Sequence, residues 1–379
     1  MKLLVVTDNF PPRWDGIGRF LTETLPSLAE TFDITVLAPD YGEYRVPNVT
    51  IEQVQLSQRI VGDYTVPKTP IKKAWRLVGE ADIVFTQSLG AIGGLAAVYA
   101  KLRGKQHVHY THSVEWRLLP NAIKNPEAKH AVLNSTKWFT KRIYRSADRL
   151  LVPSEDVKET IEWEGVTTPT TIIPLGVDTE AFKPKMNQEE VNELRAEHGV
   201  PTGKVVIGYH GRLAREKNVR TLLRASKRLE KIGEDFHVVL IGDGVPSIVE
   251  AAEKQRFCTH LSAKKDIQEF IHLYDVYVSC SLTETTSLST AEAMAAGKPV
   301  VATPAGYIGQ YVEPDVNGYL FPFKDSYVLS TKLHELIRDE EKRRRLGEQA
   351  RKTAKTTFNW DRTTKLLKQA LKKEGAVKE

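Results

Sequence analysis

Two glutamates, Glu284 and Glu292, are the residues whose type and spacing point most directly to chemistry. Residues 286–296 have the composition of a helix, so Glu284 precedes its start and Glu292 lies about two turns inside it. Both carboxylates can face one cleft and accept hydrogen bonds from hydroxyl groups. Three amides at the start of this helix lack partners within it and suit a phosphate: those of Ser287, Leu288 and Ser289. An ordinary amphipathic helix with surface glutamates is the alternative interpretation.

Two cations lie about seventy residues before these glutamates. The apolar run Val205–Tyr209 predicts a strand, Gly211 follows it, and Arg212 and Lys217 stand in the loop that comes next. A fork-shaped guanidinium and an ammonium group in one loop suit the oxygens of a diphosphate. Arginine and lysine are also common on ordinary surfaces, so the loop fits a plain surface turn as well.

Two features of the N-terminal half also follow predicted strands. Gly16 and Gly18 open a helix after the strand Leu3–Thr7, where glycines let backbone amides approach a phosphate. A tight strand-to-helix turn explains the same two glycines. His112 follows the apolar strand His107–Thr111 and can donate a hydrogen bond to a substrate, although a structural histidine fits the same position.

The elements that must position these residues alternate between short β-branched runs and segments of helical periodicity. Near-continuous apolar strands that alternate with helices indicate parallel sheets covered on both faces. The pattern breaks at residues 182–202 and then restarts, which predicts two α/β domains of similar size joined by a linker around residues 176–203. Ligands of such sheets bind beyond the carboxyl ends of the strands, so we expect the site in the cleft between the two domains.

The composition fits a globular protein of two domains. The chain has 379 residues, of which 41% are hydrophobic and 27% are charged, a balance that argues against extensive disorder. No apolar run approaches the roughly 18–20 residues of a membrane span, and the N-terminus turns polar too soon for a signal peptide. Two cysteines, Cys258 and Cys280, make no disulfide framework, and no Cys/His cluster has zinc spacing. We expect reduced thiols and a cytoplasmic protein.

The net charge of +6 is concentrated in two blocks. Residues 101–149 contain eleven Lys or Arg and three Asp or Glu, and residues 331–379 contain fifteen and eight. Such blocks contact nucleic acid, anionic lipid or phosphorylated ligands, or they are simply solvated helix faces. Within residues 130–149, Trp138 and Phe139 stand among cations, which suits a helix lying on an anionic membrane surface or, equally, a helix with a basic exposed face. These cations are Lys137, Lys141, Arg142 and Arg145.

Taken in order, these motifs resemble glycosyltransferase family 4, the retaining nucleotide-sugar transferases of the GT-B fold. The resemblance covers nearly the whole chain and rests on Gly16-Ile17-Gly18, Val152-Pro153-Ser154, Ile173-Pro174-Leu175-Gly176-Val177-Asp178, Gly211-Arg212…Glu216-Lys217-Asn218, Ile241-Gly242-Asp243-Gly244, Glu284-x7-Glu292, Pro299-Val300-Val301-Ala302, Asn317-Gly318-Tyr319 and Phe358-Asn359-Trp360. Family members usually carry an aromatic residue and a glycine just after the first glutamate, whereas this chain has Thr286 and Ser287, so the donor sugar cannot be carried over.

The resemblance implies two Rossmann-like domains whose parallel sheets face each other across a cleft. Residues 1–180 form the acceptor side and residues 181–357 hold the nucleotide sugar, while a final helix, about residues 358–379, crosses back to the first domain. By the same resemblance, Arg212 and Lys217 clamp the diphosphate, which the amides of residues 287–289 also bind. Glu292 accepts hydrogen bonds from the ribose and Glu284 from sugar hydroxyls. Gly16 and Gly18 approach the diphosphate, and His112 lies near the reacting sugar.

The resemblance further implies transfer of a hexose from a UDP- or GDP-sugar with retention of configuration. The style of the motifs is similar to the branch that glycosylates lipids, so we expect a membrane lipid or lipid-linked acceptor and a cytoplasmic protein peripheral to the inner face of the cell membrane. A soluble sugar or sugar-phosphate acceptor, or an epimerase of the same fold, is the alternative. Because no Asp-x-Asp occurs and cations can replace a divalent ion, we expect no metal and no cofactor beyond the donor. The cleft chemistry disfavours nucleic acid as a partner.

Overall fold

A computed structural model describes residues 1–372 except residues 14, 62–63, 113, 115, 117–125 and 265, and it divides the chain into two compact units. The first consists of Met1–Leu175 and Trp360–Glu379, and the second is Gly176–Asn359. The sequence placed these divisions at residues 180 and 357. They fall elsewhere because Val177 is buried in the core of the second unit, where its amide donates to the carbonyl of Phe358.

The first unit is built on a parallel sheet of seven strands. Its strands are β1 (Lys2–Val6), β2 (Asp33–Pro39), β3 (Val49–Val54), β6 (Ile83–Thr86), β7 (Gln106–Tyr110), β8 (Arg149–Val152) and β9 (Thr170–Ile172). Two further strands, β4 (Leu56–Val61) and β5 (Tyr64–Pro67), form a separate antiparallel pair. The order in the sheet is β3-β2-β1-β6-β7-β8-β9. All residues of β6 are buried, as expected for a central strand that helices cover on both faces.

Helices connect these strands. They are α1 (Gly16–Ala29), α2 (Ile71–Glu80), α3 (Gly93–Leu102), α4 (Pro126–Ser146) and α5 (Glu155–Trp163). The start of α1 is fixed by Asp15, whose carboxylate accepts the amide hydrogen of Gly18 at 2.8 Å and so satisfies a donor that has no partner within the helix.

The second unit repeats the same plan with a six-stranded parallel sheet. Its strands are β10 (Val205–His210), β11 (Phe236–Ile241), β12 (Cys258–Leu261), β13 (Val276–Ser279), β14 (Val300–Ala302) and β15 (Gly318–Leu320), in the order β12-β11-β10-β13-β14-β15. Its helices are α6 (Gln188–Glu197), α7 (Arg220–Lys231), α8 (Pro246–Glu253), α9 (Ile267–Phe270), α10 (Leu288–Ala295), α11 (Ile308–Tyr311), α12 (Ser326–Arg338) and α13 (Glu340–Thr357). The prediction of two α/β domains with parallel sheets is confirmed.

The last described helix, α14 (Trp360–Leu371), belongs to the first unit, as the fold prediction stated. Its Trp360 ring lies 6.2 Å from that of Phe20 in α1. The hydroxyl of Thr363 donates to the carbonyl of Pro174 at 2.7 Å, and Lys368 pairs with Glu30 at 3.0 Å. The predicted continuation of this helix over residues 373–379 lies outside the described residues.

The predicted linker over residues 176–203 is wrong, because this segment is part of the second unit's core. Phe182, Leu194 and Val200 are buried there. Arg195 on α6 is also buried and donates to Asp275 at 2.9 Å and to the carbonyl of Leu273 at 2.9 Å. The polar composition of the segment therefore comes from the exposed face of a packed helix.

The basic helix α4 differs from the surface that its sequence suggested. Lys137 and Lys141 both pair with Glu164, at 2.7 and 3.4 Å, which partly neutralises their charge. Phe139 is half-buried rather than exposed, and its ring lies close to Gly94 of α3. Trp138 remains 67% exposed. Among the described residues, no helix is both long and apolar enough to cross a bilayer.

The core of the first unit contains a buried histidine that cannot easily carry charge. The Nε2 atom of His107 on β7 lies 2.9 Å from the hydroxyl of Thr86, which also lies 2.8 Å from Nδ1 of His109. Burial lowers the pKa of His107 to about 3, with the neighbouring His109 as a second cause. The folded state therefore binds fewer protons than the unfolded chain below pH 6.5, and its stability falls as the pH falls from there towards 3.

We predict that His107→Gln flattens the loss of stability in acid. A histidine that protonates only on unfolding removes about 1.4 kcal/mol of stability per pH unit, or roughly 2–3 kcal/mol between pH 6.5 and 4.5. Urea unfolding followed by circular dichroism at pH 7.5, 6.5, 5.5 and 4.5 measures this slope. Equal slopes for the variant and the parent would contradict the assignment.

Candidate functional site

Each parallel sheet has a topological switch point, where the connections from two neighbouring strands run to opposite sides of the sheet. Ligands of such sheets bind at this point, beyond the carboxyl ends of the strands. In the second unit this point lies between β10 and β13, and in the first unit it lies between β1 and β6. The loops after β10 and β13 carry Arg212, Lys217 and Glu284. The loops after β1 and β6 carry Asp8 and Gln87.

Lys217 and Glu284 are in direct contact. The Nζ atom of Lys217 lies 2.6 Å from Oε1 of Glu284, and the two side chains are only 21% and 9% exposed. The hydroxyl of Ser281, just beyond β13, donates to the same oxygen at 2.7 Å. Two donors thus hold a nearly buried carboxylate at the carboxyl end of the sheet, where it can accept hydrogen bonds from a ligand's hydroxyl groups.

Arg212 lies in the same loop with a different carboxylate. Its guanidinium donates to Glu216 at 3.1 Å, and its side chain is about half exposed. The carbonyl of Arg212 accepts the hydroxyl hydrogen of Tyr209 at 2.8 Å, and the amide of Leu282 donates to the carbonyl of Glu216 at 2.8 Å. The second of these bonds joins the loop after β10 to the loop after β13, so the two predicted loops do lie together.

The helix α10 begins at Leu288, two residues later than predicted. Ser287 precedes it with φ 59° and ψ 80°, a left-handed conformation that favours glycine. Its carbonyl accepts the amides of Thr290 and Ala291, and its hydroxyl lies 2.8 Å from that of Thr290. The first amides of the helix have no partner within it, so Leu288 and Ser289 offer donors to an anion.

A glycine supports the loop that carries Glu284. Gly306 has φ +55°, and a Cβ atom there would collide with the carbonyl oxygen of Glu284. The next residue, Tyr307, donates its amide to the carbonyl of Thr285 at 2.8 Å. Only glycine therefore lets the chain after β14 pack this closely under the glutamate loop.

Glu292 lies in α10 and is buried, with 6% of its surface exposed. Its Oε2 atom lies 2.9 Å from Nε2 of His210, the last residue of β10. The sequence analysis assigned no role to His210. A usable signal was its position at the end of an apolar strand, similar to that of His112. Glu284 and Glu292 are thus both nearly buried carboxylates with nitrogen donors from the loop or strand of β10.

The first unit presents the two predicted glycines at the start of α1. Gly16 has open space where a side chain would be. A Cβ at Gly18 would lie 2.9 Å from the carbonyl oxygen of Arg13, so this position needs a glycine for the turn itself. The tight turn between strand and helix therefore explains the glycine at position 18, whereas it does not require a glycine at position 16.

His112 is a neutral histidine held by Gln87. Its Nε2 atom lies 2.8 Å from Oε1 of Gln87, and because a carboxamide oxygen only accepts, Nε2 carries the hydrogen. The ring lies 4.4 Å from that of Tyr110 and 5.0 Å from that of Phe20. Burial lowers the pKa of His112 to about 3, with His109 as the second cause. At neutral pH the ring can donate or accept a hydrogen bond without carrying charge.

Asp8 organises the first unit's loops, and the sequence analysis missed it. Its carboxylate accepts the amides of Gly90, Ile92 and Gly93 at 2.8–3.1 Å and the hydroxyl of Ser88 at 2.7 Å. Burial raises the pKa of Asp8, and these bonds offset part of the rise. Its position directly beyond β1 was a usable signal. In the described part of the chain, no group of three or more His, Cys, Asp or Glu residues is arranged to hold a metal ion.

Two family models match the two halves of the chain. The model described as Glycosyltransferase Family 4 matches residues 14–181, and the model described as Glycosyl transferases group 1 matches residues 190–353. The second match contains the loops after β10 and β13 together with α10. The first match contains α1 and the loop after β7.

Curated relatives and solved structures are similar over most of their length. The alpha-monoglucosyldiacylglycerol synthase of Streptococcus pneumoniae is 22% identical over 374 residues, covering 89% of this chain and 82% of that protein. The GDP-mannose-dependent alpha-mannosyltransferase of Mycobacterium tuberculosis is 26% identical over 336 residues, covering 85% and 84%. The structure of Anabaena Alr3699/HepE in complex with UDP and glucose has a TM-score of 0.78 at 19% identity, covering 98% and 100%, which shows a shared fold.

We predict that Lys217 and Glu284 stabilise the ligand-free protein as a coupled pair. Lys217→Met leaves a nearly buried carboxylate with one neutral donor and costs roughly 1–3 kcal/mol, the scale of a lost charged hydrogen bond. Combining it with Glu284→Gln should cost clearly less than the sum of the two single changes. Urea unfolding of the four proteins measures the coupling.

The exposed pair Arg256–Glu230, whose side chains are 92% and 41% exposed, provides the matched control. The same cycle there should give a coupling below about 1 kcal/mol. Additive effects at Lys217 and Glu284 would mean that their contact contributes nothing in solution.

Proposed function

Since the chain belongs to glycosyltransferase family 4 and has the GT-B fold, we propose that it is a retaining hexosyltransferase that uses a UDP- or GDP-sugar and glycosylates a membrane lipid or lipid-linked acceptor. One observation carries the donor part of the proposal. The Lys217–Glu284 contact brings an ammonium group and a nearly buried carboxylate to the carboxyl end of the second sheet. The start of α10, with its unpaired amides, follows Glu284 within a few residues.

The proposed chemistry follows from charge. Departure of a nucleoside diphosphate develops negative charge, which Arg212, Lys217 and the first amides of α10 are suited to stabilise. Glu284 then accepts hydrogen bonds from the sugar, and Glu292 accepts them from the ribose. Retention is proposed to arise from attack on the face that the phosphate leaves. Gly16, Gly18 and His112 keep the roles that the family resemblance gives them, as predictions.

We further propose that the reaction needs no divalent metal and no cofactor beyond the donor. The support is the pair of cations in the loop after β10, which can balance the charge of the leaving diphosphate. Lys217 already contacts a carboxylate at 2.6 Å, so a diphosphate competes with Glu284 for this ammonium group or shares it.

The lipid part of the proposal rests on a relative and on one surface. The pneumococcal relative is named for a glycosylated diacylglycerol. In this chain, Trp138 is 67% and Trp163 is 92% exposed. The turn after Trp163 packs on α4, because Glu164 pairs with Lys137 and Gly165 accepts a hydrogen bond from Arg145. We call the exposed residues Trp138, Arg142, Arg145 and Trp163 the tryptophan surface. Indole rings beside cations are typical of proteins that bind membrane interfaces.

We predict that Arg212→Ala weakens nucleoside-diphosphate binding by roughly 1.5–3 kcal/mol, the scale of a charged hydrogen bond. Calorimetry with UDP and with GDP measures the affinity, and Arg256→Ala, which removes an exposed guanidinium outside the predicted site, should change nothing. Unchanged affinity of Arg212→Ala would remove this residue from the donor site.

We also predict that transfer of sugar to lipid acceptors continues in excess EDTA. Turnover that stops in EDTA and returns with magnesium would contradict metal independence.

We predict that the protein sediments with vesicles made of equal parts phosphatidylglycerol and phosphatidylcholine, and much less with phosphatidylcholine alone. Each cation near an anionic surface contributes about 1 kcal/mol. Arg142→Glu should therefore lower binding at least about fivefold. Lys137, Lys141 and Arg145 are unsuitable for this test, because the two lysines hold Glu164 and Arg145 holds the carbonyl of Gly165.

The matched control reverses one exposed charge of α7, Arg224→Glu, and should bind like the parent. A parent protein that stays in the supernatant at low salt would contradict the membrane proposal and favour a soluble acceptor. Equal binding of both reversal variants and the parent would mean that another surface contacts the membrane.

A further inference from the structure

His210 is buried, and both of its ring nitrogens have partners. It ends β10 with 4% of its surface exposed. Its Nδ1 atom lies 2.8 Å from the hydroxyl of Tyr274, and its Nε2 atom lies 2.9 Å from Oε2 of Glu292. The three groups therefore form one chain of hydrogen bonds across the sheet, and this chain ends on a carboxylate of the proposed donor site.

The chemistry of Glu292 fixes the direction of the bond that His210 makes to it. A carboxylate only accepts, so Nε2 of His210 carries a hydrogen and donates it to Glu292. When the ring is neutral, Nδ1 is an acceptor and the hydroxyl of Tyr274 donates to it. Burial raises the pKa of Tyr274 well above its usual value, so this hydroxyl remains a donor throughout the working pH range. The Tyr274 hydroxyl thus orients the ring of His210, and the ring orients the carboxylate of Glu292.

We propose that His210 and Tyr274 are positioning residues for Glu292. This inference rests on the proposed function, in which Glu292 accepts hydrogen bonds from the ribose of the donor. A glutamate side chain has three rotatable bonds, and the hydrogen bond to Oε2 selects one arrangement before the nucleotide arrives. Loss of that bond should therefore weaken recognition of the ribose hydroxyls specifically, and leave the phosphate contacts as they were.

The test compares nucleotides that differ only in the hydroxyls that Glu292 would bind. Calorimetry gives the affinity for UDP, GDP and ADP and for their 2′,3′-dideoxy counterparts, and the ratio within each pair measures hydroxyl recognition. The parent should favour the ribonucleotide by about ten- to hundredfold, the range of a charged hydrogen bond. His210→Leu should reduce this ratio at least fivefold, whereas His210→Gln keeps an N–H donor and should restore part of it.

Two further variants separate positioning from general stability. Tyr274→Phe removes one hydroxyl and should lower the ratio less than His210→Leu does. In a Glu292→Gln background, His210→Leu should lower the ratio no further, because the group that it positions is already changed. If His210→Leu lowers the melting temperature but leaves the ratio at the parent value, the role of His210 is structural and the proposal is wrong.

Nitrogen-15 NMR of the histidine rings tests the hydrogen bond from His210 to Glu292 without any ligand. The signal that disappears in His210→Gln belongs to His210, and its Nε2 should carry a hydrogen. The opposite tautomer would overturn the proposed direction. If none of the three nucleotides binds the parent, the proposed function fails, while NMR still tests the hydrogen bond from His210 to Glu292. If they bind without hydroxyl recognition, Glu292 does not bind ribose and the positioning proposal fails.

Discussion

Supplying hydrogen-bond donors to two buried carboxylates is the constraint on which the second unit's site depends. An isolated buried carboxylate would take up a proton, since burial disfavours its charged form. Glu284 accepts hydrogen bonds from Lys217 and Ser281, and Glu292 accepts one from His210. The residues that satisfy these carboxylates come from the loop or strand of β10 and from the loop after β13, so the parallel pairing of these two strands assembles the site.

The same arrangement explains why the protein accepts strain beside the site. Ser287 adopts a left-handed conformation that a glycine would adopt at less cost. Its carbonyl and its hydroxyl both bond to the first turn of α10, which holds the turn that leads from Glu284 into this helix. A non-glycine residue in such a conformation persists only where the surroundings determine it strongly, and such residues cluster at functional sites.

Much of the fold and part of the site could be predicted from the sequence. Apolar strands such as β10 and the glycines that open α1 are local signals, and they predicted the alternating pattern correctly. The family resemblance assigned Lys217 and Glu284 to one site, and both follow strands whose carboxyl ends lie at one edge of the sheet. Three features had no local signal: the packing of Phe182, Leu194 and Val200 into the second unit's core, the contact of Lys137 with Glu164, and the partners of His210. Each depends on a side chain that is distant in sequence, which periodicity does not report.

The first unit is discontinuous, and this has a consequence for biosynthesis. Its sheet is complete at residue 175, yet α14 packs on α1 only after the intervening 184 residues have been made. During translation the surface of α1 around Phe20 therefore stays uncovered while the whole second unit emerges from the ribosome. The order of folding is consequently not the order of the chain, and the second unit, contiguous from Gly176 to Asn359, is the one that can finish first. No single cut in the polypeptide yields both units intact.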